Sequence, residues 1–267
     1  MKSIAQLSDL SGRKALLAGG TGHIALAAAE GLVELGATVA IVDLDPEACR
    51  ARAAALERTR RGAAIAVPGD LADEAATRAA VRQVVAALGG LDILIHCAAL
   101  VGTTRVEGWA VPFEEQTVAA WDAAIRVNLT SAFVLVQEAR SALQSSGHGS
   151  VILFSSIYGM SAPDLTLYAG TTMANPGGYG ASKGGLLQLT RYLASVLAPA
   201  VRVNAISPGG VWRNQPAPFI ERYEARTPLK RMACEEDIKG AVAYLASDLS
   251  AYVTGHNLVV DGGWTAW

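Results

Sequence analysis

Short apolar runs alternate with longer amphipathic segments along this chain of 267 residues. Each apolar run has the length of a buried β-strand, and small or polar residues follow most of them. The segments between the runs repeat apolar residues at helical spacing. The predicted strands are 14–18, 38–42, 63–67, 91–95, 151–154, 201–206 and 257–261. Strands that alternate with helices predict an α/β fold, a doubly wound parallel sheet (Rossmann-like) that forms a single domain over residues 1–267.

Several segments depart from this regular alternation. Residues 100–116 are irregular, and Trp109 within them is expected to be exposed. The connections at about 157–178 and 212–228 are long, and long loops in a compact domain are usually functional. We therefore interpret both as insertions on the substrate side of the sheet, the second with a short helix. The alternative for the first is a loop that forms an oligomer contact. The other helices are expected at about 24–35, 46–61, 74–88, 118–145, 179–197 and 235–246.

The composition suits one large domain with a substantial core, because 51% of the residues are hydrophobic and 17% are charged. The net charge of -2 argues against a nucleic-acid partner. The three cysteines, Cys49, Cys97 and Cys234, form no disulfide framework or zinc spacing, so we expect no metal site and a reducing, cytoplasmic location. The first residues lack the apolar stretch of a signal peptide, and no uninterrupted apolar run suggests a membrane span.

The first predicted strand ends in a glycine turn that indicates a nucleotide site. Gly19, Gly20 and Gly22 lie between this strand and the next helix. Glycines there let the backbone approach a pyrophosphate that faces the helix N-terminus. Asp43 ends the second strand, where a carboxylate can accept hydrogen bonds from an adenosine ribose and repel a 2′-phosphate, which favours NAD over NADP. The alternative is a turn that only packs the helix against the strand.

Tyr179 and Lys183 are four residues apart, so they share one face of a predicted helix. A phenol has a pKa near ~10, and an ammonium beside it is expected to lower that pKa towards the range useful for acid–base chemistry. A solvated helix face is the alternative for this pair. Asn128 lies in an otherwise apolar helix face and Ser156 follows the fifth strand. Taken alone, these two could be a satisfied core amide and a loop cap.

Over essentially its whole length, the chain resembles the short-chain dehydrogenase/reductase family. The motifs that carry the resemblance keep the family's order along the chain. They are the glycine turn, Asp70-Leu71, Asn128, Ser156, Tyr179-x-x-x-Lys183, Asn204 with Pro208-Gly209, and Asp261-Gly262-Gly263. The resemblance implies a single Rossmann-like domain, a nicotinamide cofactor and a homo-oligomer, often a tetramer.

The resemblance also implies a role for each matching residue. Tyr179 would be the general acid/base, Lys183 would hold the nicotinamide ribose and tune Tyr179, and Ser156 would bind the substrate oxygen. Asn128 would position a water in a proton relay. The residues expected to contact the cofactor are Gly19, Thr21, Gly22, His23, Ile24, Asp43, Asp70, Leu71, Cys97, Ala98, Ala99, Asn128, Tyr179, Lys183, Pro208, Gly209 and Val211. The candidates for substrate contact are Ser156, Tyr158, Tyr168 and Trp212.

The chain departs from the family pattern at three places. His23 and Ala25 replace two glycines of the first turn, whose spacing is closer to the extended branch of epimerases and dehydratases. His96 follows the fourth strand, where we expect a buried structural histidine rather than a cofactor contact. The gap between Ser156 and Tyr179 exceeds the usual spacing by roughly ten residues, and we interpret the extra length as part of the first insertion.

The leading hypothesis is an NAD-dependent oxidoreductase that interconverts a secondary alcohol and a ketone. Both ends of the 157–178 segment resemble family members of bacterial sugar metabolism, which favours a sugar, a sugar acid or another polyhydroxylated small molecule. The alternatives are a sugar epimerase or dehydratase with tightly held NAD, for which the chain is short, and a non-catalytic NAD-binding regulator. We expect Trp264 and Trp267 to lie in a subunit contact or at the edge of the pocket.

Overall fold

A computed structural model describes residues 1–102 and 104–267, and within them it shows one parallel sheet with helices on both faces. The strands are β1 (Lys14–Ala18), β2 (Thr38–Val42), β3 (Ala64–Ala66), β4 (Ile93–His96), β5 (Gly149–Phe154), β6 (Val201–Pro208) and β7 (Asn257–Val260). Their order across the sheet is β3-β2-β1-β4-β5-β6-β7, and every neighbouring pair is parallel. The predicted doubly wound α/β fold is therefore confirmed.

Several helices begin where the sequence carries a capping signal. Asp45 and Asp73 accept hydrogen bonds from the first turns of the helices that follow them. The first helix is absent from the sequence prediction; it begins after Ser3, which forms a reciprocal cap with Gln6. The α-helices are α1 (Ile4–Ser8), α2 (His23–Glu34), α3 (Pro46–Thr59), α4 (Glu74–Leu88), α5 (Val118–Ile125), α6 (Ser131–Ser145), α7 (Gly177–Leu197), α8 (Ala217–Arg226) and α9 (Glu236–Ala246).

Two hydrophobic cores lie on opposite faces of the sheet. Side chains alternate between the faces along β1, so Leu16 joins the core beneath α4, α6 and α7, whereas Leu17 joins the core beneath α2, α3 and α9. Both leucines are fully buried. Burial of one such side chain contributes about 1.5–3 kcal/mol, so packing on both faces holds the strands in place. The loops at the carboxyl ends of the strands consequently start from fixed positions.

The predicted helix at 118–145 is continuous but changes its winding in the middle. α5 and α6 flank a π-helical stretch, Arg126–Thr130, in which each turn contains more residues than an α-helical turn. By length and composition alone, the whole stretch could cross a membrane. It packs instead against α4 and α7 on one face of the sheet, so we assign it to the core of the fold.

The predicted exposure of Trp109 is wrong. The side chain is only 2% exposed, and its indole N–H donates a hydrogen bond of 2.9 Å to the carbonyl oxygen of Val101. Residues of the irregular segment fold back over α5, so the indole packs against Ala120 and Ala124. The apolar surface that buries Trp109 is therefore supplied by a helix that begins nine residues later in the chain.

A third hydrophobic cluster, which we call the cap, joins the 157–178 segment to α8 and the C-terminus. The expected subunit contact of Trp264 does not fit its position, because this indole is 1% exposed inside the cap. The guanidinium of Arg226 lies 4.3 Å from the centre of its ring. Trp267, in contrast, is exposed. The buried cap residues are Ile157, Leu167, Phe219, Tyr223, Met232 and Trp264.

Candidate active site

We place the candidate crevice at the carboxyl edge of the sheet, between the neighbouring strands β1 and β4, because the connections change face there. The chain leaves β1 towards α2 on one face of the sheet and leaves β4 towards α5 on the other, which is the arrangement at which parallel sheets bind ligands. Gly19 has a φ of 75°, and a Cβ on it would lie 2.4 Å from the backbone nitrogen of Ala98. Because only glycine tolerates both constraints, the turn after β1 lies directly against the segment after β4.

The N-terminus of α2 fits the pyrophosphate of a dinucleotide despite both substitutions in the turn. The N-cap residue, Gly22, has no side chain that could cap the helix. The first N–H groups of α2, on His23 and Ile24, are therefore available to an anion. Ala25 is fully buried, so its methyl group is accommodated where the family pattern has glycine. The His23 imidazole lies 3.9 Å from the carboxylate of Glu235 and is largely exposed.

Asp43 closes the same turn from the end of β2. One carboxylate oxygen accepts hydrogen bonds from the Thr21 backbone N–H at 3.0 Å and from its hydroxyl at 2.6 Å. The other oxygen accepts one from the Leu44 N–H at 2.8 Å. A carboxylate has about four acceptor positions, so Asp43 can order the glycine turn and still accept a further hydrogen bond.

Lys183 lies one helical turn from Tyr179 on α7 and is almost completely buried. Its side chain is 3% exposed, and Nζ donates a hydrogen bond of 2.7 Å to the carbonyl oxygen of Phe154. The ammonium lies 5.7 Å from the centre of the Tyr179 ring. Burial lowers the pKa of Lys183 to about 8. A solvated helix face does not describe a lysine in this environment.

Ser156 and Tyr179 present two hydroxyl groups near the end of β5. Burial raises the pKa of Tyr179, and the adjacent Ser156 hydroxyl acts in the opposite direction with a smaller effect. The Lys183 ammonium bonds to Phe154 in this structure, so its expected lowering of the Tyr179 pKa stays a prediction. The Ser156 oxygen accepts a hydrogen bond from the Tyr158 N–H at 3.2 Å, which orients it. Two hydroxyls so close together can bind one oxygen atom of a substrate.

Asn128 is fully buried in the π-helical stretch, and its amide connects two segments of the site. Its oxygen accepts a hydrogen bond from the Leu100 N–H at 2.7 Å, and its nitrogen donates to the Leu100 carbonyl at 3.2 Å. The same nitrogen donates to the Ser182 hydroxyl at 3.0 Å, and Ser182 donates to the Tyr179 carbonyl at 2.7 Å. Asn128 thus ties the loop after β4 to α7, while its role in a water relay stays a prediction.

Ser182 is a site residue that the sequence analysis missed. It lies between Tyr179 and Lys183 in the motif and is fully buried. The signal was a hydroxyl residue on the same helix turn as the two candidate catalytic groups. Without coordinates, nothing in the sequence indicates that its partner is Asn128, which is 54 residues away.

His96 is a structural histidine, as expected. It is fully buried, and its Nε2 lies 2.8 Å from the Ser131 hydroxyl on α6. Burial lowers the pKa of His96 to about 3, so the imidazole is neutral. This contact directs the ring towards α6 and fits a role in packing.

The remaining predicted cofactor residues follow three strands at the carboxyl edge of the sheet. Gly209 is tightly enclosed, since a Cβ on it would lie 2.8 Å from the Tyr223 hydroxyl. Leu71 is mostly buried in one of the two main cores, whereas Asp70 is exposed. Val211 pairs with Ala233 in an isolated bridge. By strand, the set is Asp70 and Leu71 after β3, Cys97, Ala98 and Ala99 after β4, and Pro208, Gly209 and Val211 at and beyond the end of β6.

Two of the predicted substrate residues lie together beside Ser156. The hydroxyl oxygens of Tyr158 and Tyr168 are 3.0 Å apart, and the Asn175 amide donates to Tyr168 at 3.3 Å. Trp212 is about half exposed, and its backbone N–H donates to Ala233. In the described part of the chain, no side-chain hydrogen bond or aromatic packing joins Trp212 to the tyrosine pair.

An ion pair that the sequence analysis missed fastens the cap. Arg226 on α8 lies 2.5 Å from the carboxylate of Asp164 in the 157–178 segment. The two residues are 62 positions apart, so no local sequence pattern relates them. Because Arg226 also covers the ring of Trp264, one guanidinium contacts all three parts of the cap.

Comparisons with known proteins match nearly the full length of the chain. A family model described as enoyl-(acyl carrier protein) reductase, from the short-chain dehydrogenase/reductase family, matches residues 20–265. A probable galactose dehydrogenase of Rhizobium meliloti (strain 1021) is 33% identical over 97% of this chain and 97% of its own. A D-threitol dehydrogenase of Mycolicibacterium smegmatis is 32% identical over 96% of this chain and 94% of its own.

A solved structure extends the comparison to the fold. The crystal structure of a gluconate 5-dehydrogenase from Burkholderia cenocepacia J2315, in complex with NADP and tartrate, matches with a TM-score of 0.85 and 28% identity. The match covers 99% of this chain and 100% of that one. With the motifs, the sheet order and the matched span in agreement, the chain belongs to the short-chain dehydrogenase/reductase family, whose members are oxidoreductases that bind a nicotinamide cofactor.

Proposed function

We propose that this protein is an NAD(H)-dependent oxidoreductase that interconverts a secondary alcohol and a ketone on a polyhydroxylated small molecule. One observation carries the proposal: the Tyr179 phenol, the Ser156 hydroxyl and the buried Lys183 ammonium lie around the carboxyl end of β5. Two O–H groups can bind the reacting oxygen there, and the glycine turn after β1 suits a dinucleotide beside it.

Each of the three residues has a distinct part in the proposed reaction. Tyr179 gives a proton to the ketone oxygen in reduction and takes the hydroxyl proton in oxidation. Ser156 holds the same oxygen. The nicotinamide, when bound, supplies or accepts the hydride. Because burial raises its pKa, Tyr179 keeps its proton at neutral pH, which suits the proton-donating direction.

We propose NAD rather than NADP as the cofactor. Asp43 carries a carboxylate at the end of β2, and the next two residues are Leu44 and Asp45. No lysine or arginine stands at these positions to pair with a 2′-phosphate, and the carboxylates would repel one. The NADP in the gluconate 5-dehydrogenase crystal is a property of that protein.

The proposed substrate class is supported by the relatives and by the polar groups near Ser156. The names of two relatives specify a sugar, galactose, and a polyol, threitol. In this chain, the hydroxyls of Tyr158 and Tyr168 and the amide of Asn175 form a polar patch within the cap. Such groups suit a substrate that carries several hydroxyls.

The test is turnover on a panel of sugars, polyols and cyclic alcohols with NAD⁺ and NADP⁺ supplied separately. We expect reduced cofactor to form from NAD⁺ with at least one polyol, and to stop forming in Tyr179→Phe. Wild-type protein that binds NAD but turns over nothing on the panel would support the non-catalytic alternative. An isomerised sugar without net reduced cofactor would support the epimerase alternative.

We also propose a homo-oligomer, dimer or tetramer. Large apolar side chains are exposed along α5, α6 and α7, and a surface of this kind commonly marks a protein–protein contact. They are Val118, Trp121, Phe133, Tyr192 and Val196. Light scattering of the wild type should give a multiple of the chain mass, and Trp121→Glu should reduce it. A monomeric wild type would contradict the proposal.

A further inference from the structure

Three polar side chains of the cap form a directed line of hydrogen bonds. The Asn175 amide N–H donates to the Tyr168 oxygen at 3.3 Å, and the Tyr168 O–H donates to the Tyr158 oxygen at 3.0 Å. A phenol has one hydrogen to donate. When Tyr168 gives its hydrogen to Tyr158, the hydrogen of Tyr158 is left for an acceptor beyond the line.

Packing fixes the orientation of both phenols. The ring of Tyr158 stands edge-to-face on Trp264, with centroids 6.0 Å apart, and Tyr168 packs on Phe219 at 5.3 Å. Burial raises the pKa of Tyr158 and of Tyr168, so both stay neutral and keep their hydrogens. The line therefore ends in a rigid, uncharged hydrogen-bond donor.

The end of this line lies next to the candidate catalytic hydroxyls. Tyr158 is two residues from Ser156, and the backbone N–H of Tyr158 donates to the hydroxyl oxygen of Ser156. Tyr179 is near enough that its charge contributes to raising the pKa of Tyr158. A substrate whose reacting oxygen is held by Ser156 and Tyr179 thus presents its neighbouring carbons to Tyr158. A partly buried donor without an acceptor is costly, and a substrate oxygen would satisfy it.

We propose that Tyr158 binds a second hydroxyl of the substrate, on a carbon close to the reacting one, and that Tyr168 and Asn175 are positioning residues that set the direction of its O–H bond. The inference rests on the proposed function and narrows its substrate class. Diols with neighbouring hydroxyls, and the matching hydroxy ketones, are the preferred substrates. A simple secondary alcohol reacts less well, because it leaves the Tyr158 hydrogen unpaired.

The test compares a cyclohexanediol that has hydroxyls on adjacent carbons with cyclohexanol. In Tyr158→Phe we expect kcat/KM for the diol to fall about tenfold, mainly through KM, while cyclohexanol changes by less than about twofold. Tyr252→Phe is the control, since Tyr252 is fully exposed and belongs to no part of the site. It should leave the rates on both alcohols unchanged.

A second variant tests the direction of the line without removing Tyr158. Asn175→Asp keeps the size of the side chain but replaces a donor with an acceptor. The carboxylate would accept the Tyr168 hydrogen, Tyr158 would then donate to Tyr168, and the donor facing the substrate would be lost. We expect this variant to lose the diol preference about as strongly as Tyr158→Phe. Thermal unfolding and NAD binding of each variant report whether it folds.

Each outcome separates this inference from the proposed function. Equal losses on both alcohols in Tyr158→Phe, a preserved diol preference in Asn175→Asp, or a wild type without diol preference would each overturn the inference. If Tyr158→Phe does not fold, the diol preference of Asn175→Asp decides whether the inference holds. Turnover of neither cyclic alcohol by the wild type would also overturn it, and the panel of sugars and polyols would then decide the proposed function separately.

Discussion

The ammonium of Lys183 donates a hydrogen bond to the carbonyl oxygen of Phe154, the last residue of β5. This bond joins α7 to the strand at the point where the crevice begins. It also keeps the lysine in an almost water-free position, where its charged form is disfavoured. The site therefore contains a buried charge that is held by the backbone rather than by a carboxylate.

The first prediction concerns the pH dependence of stability. The pKa of Lys183 is about 8 in the folded chain, below its ordinary value of 10.5. Between these values the unfolded chain binds more protons, so the free energy of unfolding should rise with pH through this lysine. The free energy of unfolding of the wild type, minus that of Lys183→Met, should increase by up to about 3 kcal/mol from about pH 7 to about pH 10. Urea unfolding without added cofactor measures it.

The exposed Lys2 provides the control for this experiment. Lys2→Met should follow the wild-type pH dependence closely. If Lys183→Met also follows the wild type over the whole range, the lysine is not held in the environment described above.

The second prediction concerns Tyr179 as the proton donor and acceptor. Tyr179→Phe should lower kcat by about 10²–10⁴-fold, because general acid–base catalysis by one side chain contributes on this scale. Tyr252→Phe is the control, since Tyr252 is fully exposed and belongs to no part of the site. Steady-state rates with NAD and the best panel substrate measure both. A small loss in Tyr179→Phe would remove the proposed mechanism.

The third prediction concerns the buried amide of Asn128. Asn128→Ala leaves the N–H and C=O groups of Leu100 without their partner, so we expect a loss of about 1–3 kcal/mol in the free energy of unfolding. Ser182→Ala removes the two hydrogen bonds of one hydroxyl but leaves both Leu100 groups paired with Asn128, so it should cost less. Urea unfolding of both variants gives the comparison. Equal stability of Asn128→Ala and wild type would show that water replaces the amide.

The fourth prediction separates the two roles of Asp43. Asp43→Ala should weaken NAD binding by about tenfold and reduce the preference for NAD over NADP, because both a ribose acceptor and a repelling charge are lost. Thr21→Val retains the carboxylate but removes one hydrogen bond that orders the turn. It should weaken NAD and NADP binding equally. Calorimetric titration with each cofactor measures the ratio, and equal wild-type affinities would contradict the assignment of NAD.

The fifth prediction concerns the two C-terminal tryptophans. Trp264→Ala should lower the free energy of unfolding by about 3–5 kcal/mol, since it empties a buried position in the cap. Trp267→Ala removes an exposed indole, with one hydrogen bond to the Arg226 carbonyl, and should cost less than about 1 kcal/mol. Thermal and urea unfolding measure both variants. Similar losses would mean that the C-terminus packs differently.

The sequence predicts the elements of this fold well because their signals are local. Apolar runs mark the strands, and Asp73 identifies the start of α4 by capping it. Trp109 was mispredicted because the surface that buries it comes from a later helix. The pKa of Tyr179 could not be predicted either, since its direction depends on burial and on the partner that Lys183 contacts. Contacts between distant residues, such as Asp164 with Arg226, require the folded chain.

The separation of the cap from the two main cores has a practical consequence for redesign. Residues such as Leu167 and Phe219 belong to the cap alone, while the clusters that clamp the sheet contain neither of them. A library varied at such positions can reshape the wall beside Tyr158 without loosening the strands. Selectivity in this chain is thus open to directed evolution, provided that each substitution keeps the cap filled with apolar side chains of similar volume.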